Sequence, residues 1–406
     1  MQNRVWLLFA ILFLASFDMH AQLPFLSPYI ASMGATSVMI GILLGAYSMS
    51  NLAGNLVAGP LLDRYSKKRW ISAGLIAAGC LLAGHAYATT PQALFVLRLL
   101  LGFTMAFVTP ACYALLGAIG KTEEEKGRVM AKNGMVITIA SIVSPGIGGF
   151  LAAHVGYIGS FYTLGGVMLL AGLIAVMLLP QENRYEKRLR RHDSKLQGER
   201  SRVEPPRRRS PRPVEPSWLG TRVSPATIPV FASSFAITYA QGTIMYEIPL
   251  LIHRQGLPPT VTGLLFSLMG VGSLAVLSQL WINRLSTTWR SFIGLVGLGL
   301  VLYALAVESP LTLHLTMCLF GAGLGLLFPA MTTKLMQHSS TESYGSAFSL
   351  YSAVLSVGAI AGPLAAGALA SSSDSFFLSF LVMFLAAISH LVWFGEQNGK
   401  TAPLIR

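Results

Sequence analysis

Apolar runs long enough to carry a helix across a bilayer recur twelve times along this chain, and that repetition leaves few folds open. A helix rises 1.5 Å per residue, so a hydrocarbon core ~30 Å thick takes about 20 apolar residues. Runs of that order are read at 5–32, 36–62, 70–89, 92–119, 128–154, 157–179, 225–253, 259–283, 289–307, 311–336, 342–370 and 375–394. The longer ones predict tilted or protruding helices. Charged residues make up only 11% of the 406, and mean hydropathy is +0.61. Soluble domains carry about 25%, so the predicted class is an all-α integral membrane protein with twelve transmembrane helices. The first run resembles a signal peptide at its start. It continues past residue 30 without a small-residue cleavage site, so it is read as a retained span. Cys80, Cys112 and Cys318 lie inside apolar runs without paired spacing. They read as packing residues, and no metal site or cofactor is expected.

Basic residues set the predicted orientation. With the N-terminus inside, all of the 29 Lys and Arg except Arg98, Lys132 and Arg254 fall on cytoplasmic loops or the inner ends of spans. The outer loops ASMGATS and ATTPQ carry none. This positive-inside pattern predicts two cytoplasmic termini and a cell-membrane location, of bacterial type. Residues 181–222 interrupt the rhythm with thirteen basic and six acidic residues, a net +7 of the formal +13, and with the run EPPRRRSPRPVEP. Such a stretch cannot bury a core and reads as a linker attracted to anionic lipid headgroups. Without interleaved aromatics it does not read as a nucleic-acid arm. The predicted organisation is a six-helix bundle over 1–180, the linker over 181–222 and a second six-helix bundle over 223–406.

Polar groups inside the apolar runs are the functional candidates. LASFDMHAQLPF (residues 14–25) places Asp18, His20 and Gln22 in the first run. A charge at mid-bilayer costs ~2.5–3.5 kcal/mol on insertion scales, so it marks a pathway or a partner. Asp18 lies about 20 Å from the cytoplasmic end, and Arg98, in the antiparallel fourth run, about 10 Å from the outer end. Those depths nearly coincide, which predicts an Asp18–Arg98 encounter, direct or through water. Asp18 and Gln22 are four apart and share a helical face, whereas His20 points roughly opposite. Gln22 is therefore a candidate substrate contact, and His20 reads as an interhelical hydrogen-bonder ahead of a substrate ligand. Glu247 in the seventh run is the second candidate carboxylate for proton coupling, although its position nearer the outer face also suits an entrance role. Tyr113, Gln241 and Tyr246 are further cavity candidates, since polar groups in spans seldom face lipid.

The two halves repeat. RLLLGFTMAFVTPA (98–111) and MCLFGAGLGLLFPA (317–330) share Leu, Gly, Pro and Ala at an offset of 219. PGIGGFLA (145–152) matches PLAAGALA (363–370) at 218, and QLPF (22–25) faces EIPL (247–250) at 225. Two repeated six-helix halves with a site at their interface are a transporter architecture. Over essentially its whole length the chain resembles the major facilitator superfamily. GPLLDRYSKKRW (59–70) is similar to that family's loop signature, with Gly59, Asp63, Arg64, Lys67 and Lys68 in place and Ser66 at the second glycine. The resemblance implies that Asp63 caps a neighbouring helix N-terminus and latches the outward-open state. SPGIGG (144–149) resembles the family's antiporter motif through Pro145, Gly148 and Gly149, and Gly362 and Pro363 stand in the matching run. LFVLRLLLGFTMA (94–106) is similar to the Arg-containing motif, with Leu94, Arg98, Gly102 and Ala106. In the resembled fold, spans one and four line the cavity of the N-terminal half.

The resemblance implies proton-driven export of a small organic molecule by alternating access. The cargo would be a drug-like amphiphile or a dedicated metabolite such as a metallophore. Protons are the expected coupling ion, acting on Asp18, Arg98 and Glu247, and a monomer is expected. A proton- or sodium-coupled nutrient symporter is the alternative on the same scaffold, and a lipid flippase a third. No HExxH, nucleophile elbow or phosphate-binding Gly-x-x-x-x-Gly-Lys motif argues for an enzyme or an ATP-driven pump.

Overall fold

The computed structural model describes residues 2–117, 123–179, 227–279, 282, 284–337, 344–369 and 371–400. The linker expected over 181–222 lies outside them. The N-terminal half contains α1 (Gln2–Ala21), α2 (Leu26–Ser32), α3 (Ser37–Arg64), α4 (Lys67–Tyr87), α5 (Pro91–Gly117) and α6 (Glu123–Leu178). The C-terminal half contains α7 (Ile228–Arg254), α8 (Pro259–Leu277), α9 (Thr287–Ala306), α10 (Leu313–Gln337), α11 (Tyr344–Ala368) and α12 (Ser372–Lys400).

These helices make twelve spans. Among the described residues nine helices are long and apolar enough to cross a membrane, and the bent pair α1–α2 adds a tenth. One of the nine, α6, contains two spans. It breaks at Gly156, whose φ of 72° a residue with a side chain rarely adopts. The remaining span, α7, carries many polar residues, among them Ser233, Ser234, Thr238, Gln241, Thr243 and Glu247. With twelve alternating spans, both termini lie at one end of the bundle; the opposite end is called distal below.

Each half buries its own core. One extends from Leu8 to Leu179 and also takes in Tyr246, Leu250 and Ala366 from the other half. The second runs from Val230 to Ala387. The first span is bent by 47° between α1 and α2 because Pro24 has no N–H to continue the ladder. Leu23 N–H turns back to the His20 carbonyl at 3.2 Å instead, and the Gln22 carbonyl opens α2 by accepting from Leu26 at 2.9 Å.

Small residues let the spans approach, and they do so in repeat-related pairs. Within the halves, a Cβ on Gly102 would collide with the Tyr47 carbonyl of α3, and one on Gly321 with the Met269 carbonyl of α8. Between the halves, a Cβ on Gly263 of α8 would stand 2.5 Å from the Pro145 carbonyl oxygen of α6. Its counterpart on Gly41 of α3 would collide with the Pro363 carbonyl of α11. Gly149 abuts Pro259, the first residue of α8, and Gly367 abuts Ser37, the first residue of α3. The halves therefore clasp each other twice near the distal end, α3 on α11 and α6 on α8, by the same backbone contacts.

The α3–α4 turn explains why Ser66 can replace a glycine. Tyr65 and Ser66 are both extended, with φ of −111° and −65°, and Ser66 is the N-cap of α4. Neither position needs a left-handed backbone. Arg64, Lys67 and Lys68 flank this turn. Gly59 and Asp63 belong to the last turns of α3, but the expected latch of Asp63 involves a side chain outside those described.

Candidate functional site

A cavity of about 190 Å³ lies between the halves. The N-terminal half contributes Gln22 and Leu26 from the broken first span, Leu44, Tyr47 and Ser48 from α3, and Arg98 from α5. The other half faces them with Thr238, Gln241 and Met245 from α7 and with Ala359 and Pro363 from α11. Among the described residues Arg98 is the one charged side chain in this wall.

A polar chain runs back from the wall. Gln22 donates from Nε2 to Asp18 Oδ1 at 3.0 Å and, more weakly, to the Asp18 carbonyl at 3.3 Å. Its Oε1 accepts from Arg98 Nη1 at 3.1 Å. The guanidinium also lies over the Tyr47 ring, 5.5 Å from its centroid. Asp18 and Gln22 are each 3% exposed and Arg98 7%. Burying a carboxylate and a guanidinium is tolerable only when both are hydrogen-bonded and opposed in charge. Sequence dictates the placement. Asp18 and Gln22 share a face at i, i+4, and Leu94, Arg98, Gly102 and Ala106 form one stripe on α5. Gly102 brings that stripe against Tyr47 of α3, while Asn51 donates to the Gly102 carbonyl at 3.0 Å.

The expected encounter of Asp18 with Arg98 is made through the Gln22 side chain, which bonds to both. Gln241, a cavity candidate, lines the cavity, and so does Pro363, which sequence reasoning placed in helix packing. Four other candidates stand outside its wall. His20 Nδ1 is 2.7 Å from the Ser16 carbonyl of its own helix. Tyr113 is 37% exposed on α5. The Tyr246 hydroxyl donates to the Ser37 carbonyl at 3.1 Å, adding a side chain to the distal closure. Glu247 accepts a 2.6 Å hydrogen bond from Ser372 Oγ and ties α7 to α12. Pro145, Gly148 and Gly149 pack α6 closely, with Gly148 against the Ala21 backbone and Gly149 against α8, while Gly362 meets the Tyr239 carbonyl of α7. Sequence reasoning missed Tyr47 in the wall; a tyrosine followed by two serines in the apolar run GAYSMS (45–50) was the available signal. It also missed Gly41 and Gly263, which single-sequence reading cannot separate from the chain's 40 glycines.

Comparison with known proteins agrees with this architecture. The family profile described as Major Facilitator Superfamily matches residues 8–349 and again 230–404. The Multi-drug resistance efflux pump PmrA homolog of Lactococcus lactis subsp. lactis is 25% identical over 374 residues, covering 86% of this chain and 83% of the relative. Multidrug resistance protein 2 of Bacillus subtilis is 24% identical over 400 residues, covering 96% and 95%. Among solved structures, a bacterial homolog to the human lysosomal transporter Spinster, inward-facing and occupied, superposes with a TM-score of 0.75 at 14% identity over 96% of each chain. With the family profile covering nearly the whole chain, and with two six-span bundles around a central cavity, the chain belongs to the Major Facilitator Superfamily of membrane transporters.

Proposed function

We propose that this protein exports a small organic molecule across a bacterial cytoplasmic membrane by alternating access, driven by proton entry. The observation that carries this reading is the buried Asp18–Gln22–Arg98 chain, which ends on the wall of the cavity between the halves. A buried carboxylate next to a guanidinium responds strongly to hydration, because water access changes the cost of its charge. Access from one side and then the other therefore changes its proton occupancy, and Asp18 is the proton carrier. Arg98 and Gln22 couple it to the cavity, where Gln22 and Gln241 meet the cargo. Glu247 belongs to the scaffold of the second half. The export direction is supported by relatives named as multi-drug resistance efflux pumps and by the Pro145–Gly149 packing that resembles an antiporter motif.

The positive-inside pattern supports a reading with both termini in the cytoplasm and the distal clasps at the outer face. The two bundles act as the rocking bodies, joined by the basic 181–222 linker against anionic headgroups, in a monomer. In proteoliposomes with an imposed pH gradient, Asp18→Asn is expected to remove gradient-driven transport while the purified variant keeps its elution profile and unfolding temperature. Full gradient dependence in that variant would overturn the assignment of Asp18.

A further inference from the structure

Seven buried side-chain polar atoms of the N-terminal half have no hydrogen-bond partner among the described residues, and two of them, Arg98 Nε, a donor, and His85 Nε2, lie on the adjacent helices α5 and α4. His85 is fully buried near the distal end of α4, and its Nδ1 is 2.6 Å from the Leu81 carbonyl oxygen. A carbonyl can only accept, so Nδ1 carries the proton and the neutral ring presents Nε2 as a lone pair. The ring is held in place. It packs on Phe161 with centroids 5.3 Å apart, and the His85 carbonyl accepts from the Tyr29 hydroxyl at 2.6 Å. The two orphaned atoms belong to neighbouring levels of neighbouring helices. Gly84, adjacent to His85, packs on Leu97, adjacent to Arg98, so closely that a Cβ there would stand 3.3 Å from Leu97 Cδ2. The Arg98 charge also acts on the His85 ring. One residue beyond the Gly84–Leu97 contact, on two antiparallel helices, the side chains of His85 and Arg98 turn toward the same side, and a buried donor and acceptor so placed are the setting in which one water bridges.

We propose that His85 is a positioning residue for Arg98: its Nε2 accepts from one buried water, which in turn accepts the Arg98 Nε–H. The guanidinium is then fixed on three sides, by Gln22 on Nη1, by the Tyr47 ring on its face and by α4 on Nε. Asp18, Gln22, Arg98 and His85 become one polar chain through α1, α5 and α4. A protonated His85 would turn Nε2 into a donor facing a donor, so the arrangement requires the neutral ring.

This rests on reading Arg98 as part of the coupling group, and the test keeps the two ideas apart. Protein labelled with ¹⁵N-histidine is placed in lipid nanodiscs at fixed pH, with His85→Gln identifying the His85 signals. Arg98→Gln is expected to move the His85 Nε2 resonance and leave the other histidines in place. In proteoliposomes, His85→Phe is expected to lower kcat about tenfold or more with KM little changed, and His85→Gln, which restores an acceptor, to recover most of the rate. An unmoved Nε2 resonance, a wild-type rate in His85→Phe, or a glutamine variant no better than phenylalanine would each overturn the proposal. If His85→Phe fails to fold, the resonance in Arg98→Gln and the rate of His85→Gln still decide. Loss of the Asp18 assignment, by contrast, would appear as gradient-driven transport in Asp18→Asn with the resonance shift intact.

Discussion

Asp18 and Arg98 are held in one polar chain without touching, because the Gln22 amide stands between them at 3.0 Å from the carboxylate and 3.1 Å from the guanidinium. A direct ion pair at low dielectric would be strongly bound and slow to open. An amide presents its N–H end to the anion and its C=O end to the cation, so it stabilises both charges while keeping them separable. It also belongs to the residue at which the first span bends, and its backbone carbonyl opens α2. Movement of the outer part of that span therefore moves the bridge.

Gln22→Leu keeps the approximate volume and removes the hydrogen bonds to Asp18 and from Arg98. Each buried charge then loses its hydrogen bond to Gln22, at ~1–3 kcal/mol or more per group. The expected outcome is a lower unfolding temperature and a loss of about tenfold or more in gradient-driven flux. Thermal unfolding of the purified protein and flux in proteoliposomes check the two parts. Wild-type flux in Gln22→Leu would remove the amide from the coupling route.

Glu247 makes the opposite case. Its carboxylate faces α12 through Ser372, outside the cavity wall. Replacing it with glutamine exchanges a hydrogen bond to a charged group, ~1.5–3 kcal/mol, for a neutral one of ~0.5–1.5 kcal/mol. A small drop in unfolding temperature is expected, with proton-driven flux within about twofold of wild type, since no cavity contact is lost. Flux at pH 6 and pH 8 in Glu247→Gln measures this directly, and abolished coupling would return Glu247 to the proton pathway.

What was legible in the sequence follows the physics of each feature. Spans are legible because the bilayer imposes length and hydropathy, and the repeat because Gly and Pro recur at offsets near 219. The contacts of Gly102 with Tyr47 and of Gly321 with Met269 are that repeat made physical. The Asp18–Arg98 relation was legible as depth, since rise per residue fixes height in a membrane. The rotation of a helix is not fixed in that way. Thr243, at an offset of 225 from Asp18, is a polar residue too, yet it accepts from Ser379 within its own half. Glu247 and Tyr246 carried the same ambiguity, and packing rather than periodicity turned them out of the cavity.

Gln241 separates cargo binding from coupling. It reaches the cavity from the second half and has no bond to Asp18, Gln22 or Arg98 among the hydrogen bonds that define the chain. Gln241→Ala should raise KM by about threefold to tenfold with kcat and the number of protons per cargo unchanged, the pattern of a lost ground-state contact. Concentration-dependent flux with a pH-sensitive dye in the lumen measures both. A change in stoichiometry at constant KM would place Gln241 in the coupling route instead.

The distal clasps make a prediction that the repeat itself doubles. Gly41 lies on the Pro363 carbonyl, and Gly263 lies on the Pro145 carbonyl, at equivalent places in the two halves. Backbone cannot yield to a methyl group as a flexible side chain can, so Gly41→Ala and Gly263→Ala both wedge the halves apart at that end. Each should shift the population toward a distal-open state by about tenfold, equivalent to ~1.4 kcal/mol of differential stability. The control is Gly166→Ala, where a Cβ meets nothing within 4 Å. The readout is the rate at which a membrane-impermeant thiol reagent modifies a cysteine introduced at Leu44, in a background with Cys80, Cys112 and Cys318 replaced. Both clasp variants should accelerate labelling in the same direction, and the control should not. Opposite shifts from the two glycines would show that the clasps do not work as a symmetric pair, whatever their geometry.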